Sequence, residues 1–372
     1  MTQIKNRKIL YIVLMCIIIL ITSFYETRAK QSDPEKTLLL VKINDSNITL
    51  LTWNEFGKEL AFDEKAARDT WLIEMVGGPT IDEDCLPSGK YNCPNYTFSD
   101  LKTYYWPALI AGVEKYSGQN QLDYVGYSLG CSAALESLKL YGSLGKNNAG
   151  YYFDTTTGTY LITDLASNPV DTFVAVACPG NMSNLPLIMA LLNYSDKKYN
   201  IITNLENNGK SHAKLDDIKR EFMKQYSALV LVFPKTFLLA YFFDILGGER
   251  MSTGVYREIL IWMDNSTGPD IGKGVSVNNL MVVQGKITEG KFSSGLGVNS
   301  DMIVPNRDTK EVCQNVNSNN KYYVSFNDKW HYFPFFNLPD DKDVKETIKK
   351  FLQNKQIESS NKYTFNTNCE QI

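Results

Sequence analysis

Leu122-Asp123-Tyr124-Val125-Gly126-Tyr127-Ser128-Leu129-Gly130-Cys131-Ser132-Ala133-Ala134-Leu135-Glu136-Ser137-Leu138-Lys139-Leu140 decides the fold. Leu122 to Val125 reads as a short buried strand, and Cys131 to Leu140 reads as a helix. Between them stands Gly126-Tyr127-Ser128-Leu129-Gly130, a G-x-S-x-G pentapeptide. A strand that turns sharply into a helix forces strained backbone angles on the serine at the turn, so its neighbours must be small, hence the glycines. Such a turn lifts the serine hydroxyl to the end of a sheet as a nucleophile. An ordinary strand–turn–helix junction with a solvated serine uses the same residues, so the motif gains weight only from partners elsewhere in the chain.

Outward from this stretch, strands alternate with helices. Thr37 to Val41 and Thr70 to Val76 are apolar runs that predict strands before it, the second stopped by Gly77-Gly78-Pro79. Ser99-Asp100 predicts the cap of a helix running to Tyr116, with Leu101, Tyr104, Tyr105, Leu109, Ile110 and Val113 at helical spacing. Beyond it, Gly150 to Asp164 reads as a β-hairpin. Thr172 to Ala177, Asn279 to Gln284 and Lys321 to Phe326 are continuous apolar strands, and a last helix spans Asp343 to Asn354. Continuous rather than alternating apolar strands suit a parallel sheet covered on both faces. The expected fold is therefore α/β, a mostly parallel sheet flanked by helices. Residues 31–180 and 277–356 form its core, 181–276 an inserted helical cap or lid, and 357–372 a tail. Within the cap, Tyr226 to Leu246 is strongly apolar but broken by Pro234 and Lys235, which predicts cap core, a lipid-facing surface, or both.

Composition sets the bounds. The 372 residues are 44% hydrophobic and 12% aromatic, enough for a sizeable core, and a net charge of −3 without a dense Lys/Arg cluster argues against nucleic acid as a partner. Residues 1–30 stand apart: Lys5, Arg7 and Lys8 precede an uncharged apolar run from Ile9 to Phe24. This predicts a signal peptide or a retained signal anchor, and in either case export of the remainder. Six cysteines follow that segment, and an oxidising compartment permits disulfides. Cys85 and Cys93 bracket a turn-rich loop and are expected to pair. Cys313 and Cys369 are expected to pin the tail, while Cys131 and Cys178, inside predicted core elements, are expected to be free buried thiols. Sequons at Asn47, Asn95, Asn181, Asn193 and Asn265 fit an exported glycoprotein.

A serine nucleophile needs a base and an acid that orients it. The chain has two histidines. His331 lies five residues past the strand ending at Phe326 and ahead of the final helix, the position expected of a base when the order is Ser, acid, His. His212 lies in the cap and reads as a surface residue. Asp301, on a loop after the Leu280 to Gln284 strand, is the expected acid, with Asp308 as fallback. The oxyanion needs two backbone N–H donors. Leu129 is one. Gly77, or Ile43 and Asn44 after the earliest strand, stand as alternatives for the other.

Asp100-Leu101 through Val113-Glu114-Lys115, Gly118 through Cys131, Ala177-Cys178-Pro179-Gly180, Ser300 through Pro305, and the tract from His331 to the last helix together resemble the α/β-hydrolase superfamily. The local likeness is to lipases of the acid, lysosomal and gastric type and to lecithin:cholesterol acyltransferases. Lys42-Ile43 stands where those families carry His-Gly, and Tyr127 where the lipases commonly carry His. The resemblance implies an exported serine hydrolase acting on carboxylic esters or lipids through Ser128, Asp301 and His331, with no cofactor. Acyl transfer to an alcohol, and a surface binding protein on a disabled hydrolase scaffold, are the alternatives it leaves open.

Overall fold

Apolar runs with no polar face form the middle of one sheet. The structure, a computed structural model, describes residues 48–51, 60–61, 68–72, 95–142, 150–154, 159–163, 165, 167–181, 200–209, 212–213, 251–286, 304, 306–327 and 342–370. All lie in the unit Leu40–Ile372. The strands are β1 (Ile48–Leu51), β2 (Asp69–Leu72), β3 (Leu122–Tyr127), β4 (Gly150–Asp154), β5 (Thr159–Thr163), β6 (Val170–Val176), β7 (His212–Ala213), β8 (Met251–Ser252), β9 (Asn279–Lys286), β10 (Asn320–Asn327) and β11 (Tyr363–Asn366). The main helices are α1 (Trp106–Ser117), α2 (Ser128–Leu138), α3 (Ile201–Asn207), α4 (Thr253–Asn265), α5 (Asn306–Asn315) and α6 (Lys342–Asn354).

Seven strands hydrogen-bond in the order β11-β10-β9-β6-β3-β1-β2. Every pairing is parallel except β10 with β11. Successive residues of the central strands point to opposite layers. Tyr124, Phe173, Leu280, Val282 and Tyr323 join α1, α2, α4 and α5 in one core cluster. Val125, Val174, Met281, Val283, Val324 and Phe326 join Val344, Ile348, Phe351 and Leu352 of α6 in the other. Burial on both faces explains why these strands read as unbroken apolar runs.

Several elements differ from the sequence expectation. The strand beside β3 is Ile48–Leu51, whereas the run Thr37 to Val41 lies outside the described residues. Thr97, not Ser99, caps the helical segment: its hydroxyl accepts from the Asp100 N–H, and the Asp100 carboxylate accepts from the Thr97 N–H at 2.8 Å. That segment passes through a π-helical stretch, Leu101–Tyr105, before α1. The tail contributes β11, an antiparallel edge strand, and Cys369 in it is bonded to Cys313 as expected. Cys131 and Cys178 are not free thiols but a second disulfide. Residues 181–276 include α3, α4 and the two-stranded β7/β8 pair, and Val255 and Ile259 of α4 share the core cluster of α1 and α2. His212 lies in β7, paired with Ser252.

Candidate active site

Parallel strands bring the ends of different elements to one edge. Tyr127 pairs with Val176, Val176 with Val283, and Phe326 with Gly285. The carboxyl ends of β3, β6, β9 and β10 therefore share an edge, where ligand sites of open α/β sheets form. At that edge β3 runs directly into α2. Tyr127 is still extended at φ −118°, and Ser128, the next residue, has φ +49°. A serine at positive φ costs of order 1–3 kcal/mol and persists only where its surroundings enforce it.

Two features enforce it. Gly126 lets the first turn of α2 close onto β3: a Cβ there would stand 2.8 Å from Cys131 Cα and 2.5 Å from Tyr124 Cε1. Residues Cys131 to Leu138 are all buried, so α2 is embedded rather than laid on the surface. Ser128 and Leu129 are half-buried at its N-terminus, where the positive end of the helix dipole favours negative charge.

The chain leaving β6 lies against this turn. Ala177 has φ +46° and its N–H donates to Val283 O at 2.8 Å. Cys178 is bonded to Cys131, and the Ser132 hydroxyl donates to Pro179 O at 3.2 Å. Sequence reading missed this bridge because a cysteine inside a core element behaves as a small apolar residue. The signal that could have found it is topological, since both cysteines follow the ends of strands that turn out to be neighbours.

Asp308 lies in the first turn of α5, fully buried, and neither carboxylate oxygen has a hydrogen-bond partner among the described residues. Burial, reinforced by Glu311 and opposed by Arg307, pushes its pKa up to about 7. Arg307 Nε is 3.7 Å from Oδ1, an ion-pair distance beyond hydrogen bonding. Its backbone packs against Gly180, where a Cβ would stand 2.1 Å from Asp308 O. Behind it, Gln284 at the end of β9 accepts from Thr309 at 2.9 Å and from the Tyr323 hydroxyl, anchoring the start of α5.

Of the residues expected to carry the chemistry, Ser128 and Leu129 stand at the carboxyl edge. Asp301, His331, Gly77, Ile43 and Asn44 lie outside the described residues, as do Cys85, Cys93 and the apolar run Tyr226 to Leu246. The strand beside the elbow strand is β1, with Leu51 paired to Val125. Among the described residues no cluster of three or more His, Cys, Asp and Glu side chains is placed to hold a metal ion, and no helix is long and apolar enough to cross a membrane.

A mostly parallel sheet with helices on both faces and a strained serine between its central strand and the following helix decides the architecture. The chain has the α/β-hydrolase fold. No protein-family model and no curated protein matches the sequence. Solved structures do. A lipase-esterase related protein from Clostridium acetobutylicum is 16% identical over 84% of this chain and 98% of its own, with a TM-score of 0.40. An alpha/beta hydrolase enzyme from a Medee basin deep-sea metagenome library is 14% identical over 88% and 94%, at 0.40. A monoacylglycerol lipase from Paleococcus ferrophilus is 11% identical over 82% and 93%, at 0.42. The fold assignment stands on the sheet order and the elbow of this chain alone.

Proposed function

We propose that the protein is an exported serine hydrolase that cleaves carboxylic esters, lipid esters among them, with Ser128 as nucleophile, His331 as base and Asp301 as the acid that orients it. The observation that carries this reading is the strained Ser128 at the junction of β3 and α2. A hydroxyl held there by a backbone conformation that costs free energy is the arrangement nucleophilic catalysis requires.

In this mechanism Ser128 Oγ attacks the ester carbonyl carbon while its proton passes to His331. The Leu129 N–H donates to the developing oxyanion at the N-terminus of α2. Protonated His331 gives its proton to the departing alcohol oxygen, leaving an acyl-enzyme. Water, deprotonated by His331, then releases the acid and restores Ser128. The second oxyanion donor is assigned to the Gly77 N–H, with Ile43 and Asn44 as the alternative. Asp308 suits the orienting role poorly. That role needs an ionised carboxylate, and burial drives Asp308 toward its neutral form.

Export is supported by two disulfides, which persist in oxidising compartments, and by the basic, then apolar segment at residues 1–30. A lipid interface through residues 226–246 is proposed from their apolar composition. The test is a fluorophosphonate probe, which phosphonylates activated serines. Folded protein is expected to take one label that Ser128→Ala abolishes. Folded wild-type protein that takes no Ser128-dependent label refutes the proposal.

A further inference from the structure

We infer that the Cys131–Cys178 disulfide, with the Ser132 hydroxyl beside it, positions the Ser128 nucleophile rather than merely holding the fold together. The inference rests on the reading of Ser128 given above.

Cys131 is three residues past Ser128, in the turn of α2 that closes over Gly126. Cys178 is two residues past the end of β6, the strand beside the elbow strand. Both are fully buried. The bridge thus joins the strained turn to the neighbouring exit of the same sheet edge, a few residues from the reacting oxygen. Its second anchor is itself fixed. Ala177 N–H donates to Val283 O at 2.8 Å, which registers the strap on β9. Ile271 N–H donates to Gly180 O at 2.8 Å, and Gly180 packs against the Asp308 backbone. Ser132 ties the same two segments again through Pro179 O. A rotation of the first turn of α2 that relaxed Ser128 from φ +49° would have to carry Cys131 and Ser132 away from this strap. The bridge opposes that motion directly.

The other disulfide provides an internal control. Cys313–Cys369 separates its cysteines by 56 residues, against 47 for Cys131–Cys178. Loops of such similar length constrain the unfolded chain to nearly the same degree, so a purely structural role predicts similar losses on removing either. Their locations differ. Cys313 lies near the end of α5, where its carbonyl accepts from Lys321 Nζ at 3.1 Å, close to the amino end of β10 and away from the elbow edge.

The experiment uses the full chain with Cys131→Ala/Cys178→Ala, with Cys313→Ala/Cys369→Ala, and with Ser132→Ala. Thermal midpoint, fluorophosphonate labelling rate, and kcat and KM on a short p-nitrophenyl ester are measured below the lowest midpoint. Both double variants are expected to lose similar amounts of thermal stability. The Cys131/Cys178 variant alone is expected to lose labelling rate and kcat by about tenfold to a hundredfold, with KM within about twofold, because misplacing a nucleophile slows chemistry without removing substrate contacts. Ser132→Ala keeps the covalent bridge and is expected to slow labelling by several-fold, and it decides the matter if the double variant does not fold. Wild-type labelling rates in the Cys131/Cys178 variant, equal kinetic losses in both double variants, or, where that variant does not fold, a wild-type rate in Ser132→Ala overturn the positioning role alone. A wild-type chain that takes no label overturns the reading of Ser128 on which it rests.

Discussion

The two edges of the central sheet are built on opposite terms. At the amino edge, Asp123 near the start of β3 accepts from buried Arg68 and from Lys355 Nζ at 2.7 Å, while Arg68 also donates to Leu352 O at 3.3 Å. Close by, the starts of β6, β9 and β10 share a set of short polar side chains. Asp171 accepts from Asn278 at 2.6 Å and Asn279 at 3.2 Å, and Asn320 donates to Asn279 at 2.9 Å and to Lys355 O at 2.6 Å. Buried charge there is paired, and the turns are hydrogen-bonded. The carboxyl edge carries Ser128 and Ala177 at positive φ and an Asp308 carboxylate with no hydrogen-bond partner among the described residues. The strained serine and the buried Asp308 carboxylate stand at one end, and paired charge at the other ties the starts of the strands together. That division is what a reactive site on a rigid scaffold needs.

Substitutions at the two edges should therefore separate activity from stability. The largest effect is expected from Ser128→Ala, which should lower ester hydrolysis by at least about a thousandfold while leaving the thermal midpoint near wild type. Full activity in that variant would remove the carboxyl edge from the chemistry. At the other edge, Asp123→Ala leaves Arg68 buried without its carboxylate and should cost about 3–5 kcal/mol in denaturant unfolding, with the labelling rate of the folded fraction unchanged. A labelling rate that fell with it would break the division.

Asp308 makes the contrast depend on pH. Burial raises its pKa from 3.8 in the unfolded chain to about 7 in the folded one, so the folded form holds the proton more tightly. The stability this brings is whole below about pH 4 and is lost as pH rises through 7. Asp308→Asn cannot ionise. Relative to wild type it should be more stable by on the order of 4 kcal/mol at pH 8 and nearly equal at pH 4, as measured by urea unfolding at both values. Parallel pH profiles for the two proteins would show that Asp308 is not the strained group. The smallest effect is expected at Gly126. Its replacement by alanine sets a methyl 2.8 Å from Cys131 Cα and should cost about 1–3 kcal/mol, slowing fluorophosphonate labelling as α2 is pushed off β3.

Legibility in the sequence followed the same physics. The elbow and the strands β6, β9 and β10 were readable because burial on two faces leaves only apolar residues, bounded by turns. Their ends were off by one or two residues, where packing rather than composition sets the limit. β1 was missed because Thr37 to Val41 is the more apolar run, yet Ile48–Leu51 is the segment that pairs with β3. β11 was missed for the opposite reason. Tyr363-Thr364-Phe365-Asn366 is a polar-alternating edge strand held by one neighbour, so its sequence resembles a loop. The pairing of Cys313 with Cys369 was legible because Cys369 lies in a tail that needs pinning, whereas Cys131 and Cys178 looked like core filling. Asp308 was visible as a carboxylate near the expected acid, but nothing local announces that it is fully buried.

By itself the sequence determined that a parallel sheet is crossed by a glycine-flanked serine turn, because hydrophobic period and the steric demands of a tight turn are local properties. The tertiary structure decided which strands are neighbours, which cysteines therefore meet, and which carboxylate loses its water. Those outcomes depend on bringing together residues far apart in the chain, 41 positions for Asn279 and Asn320 and 47 for Cys131 and Cys178, and no local pattern of side chains encodes such a meeting.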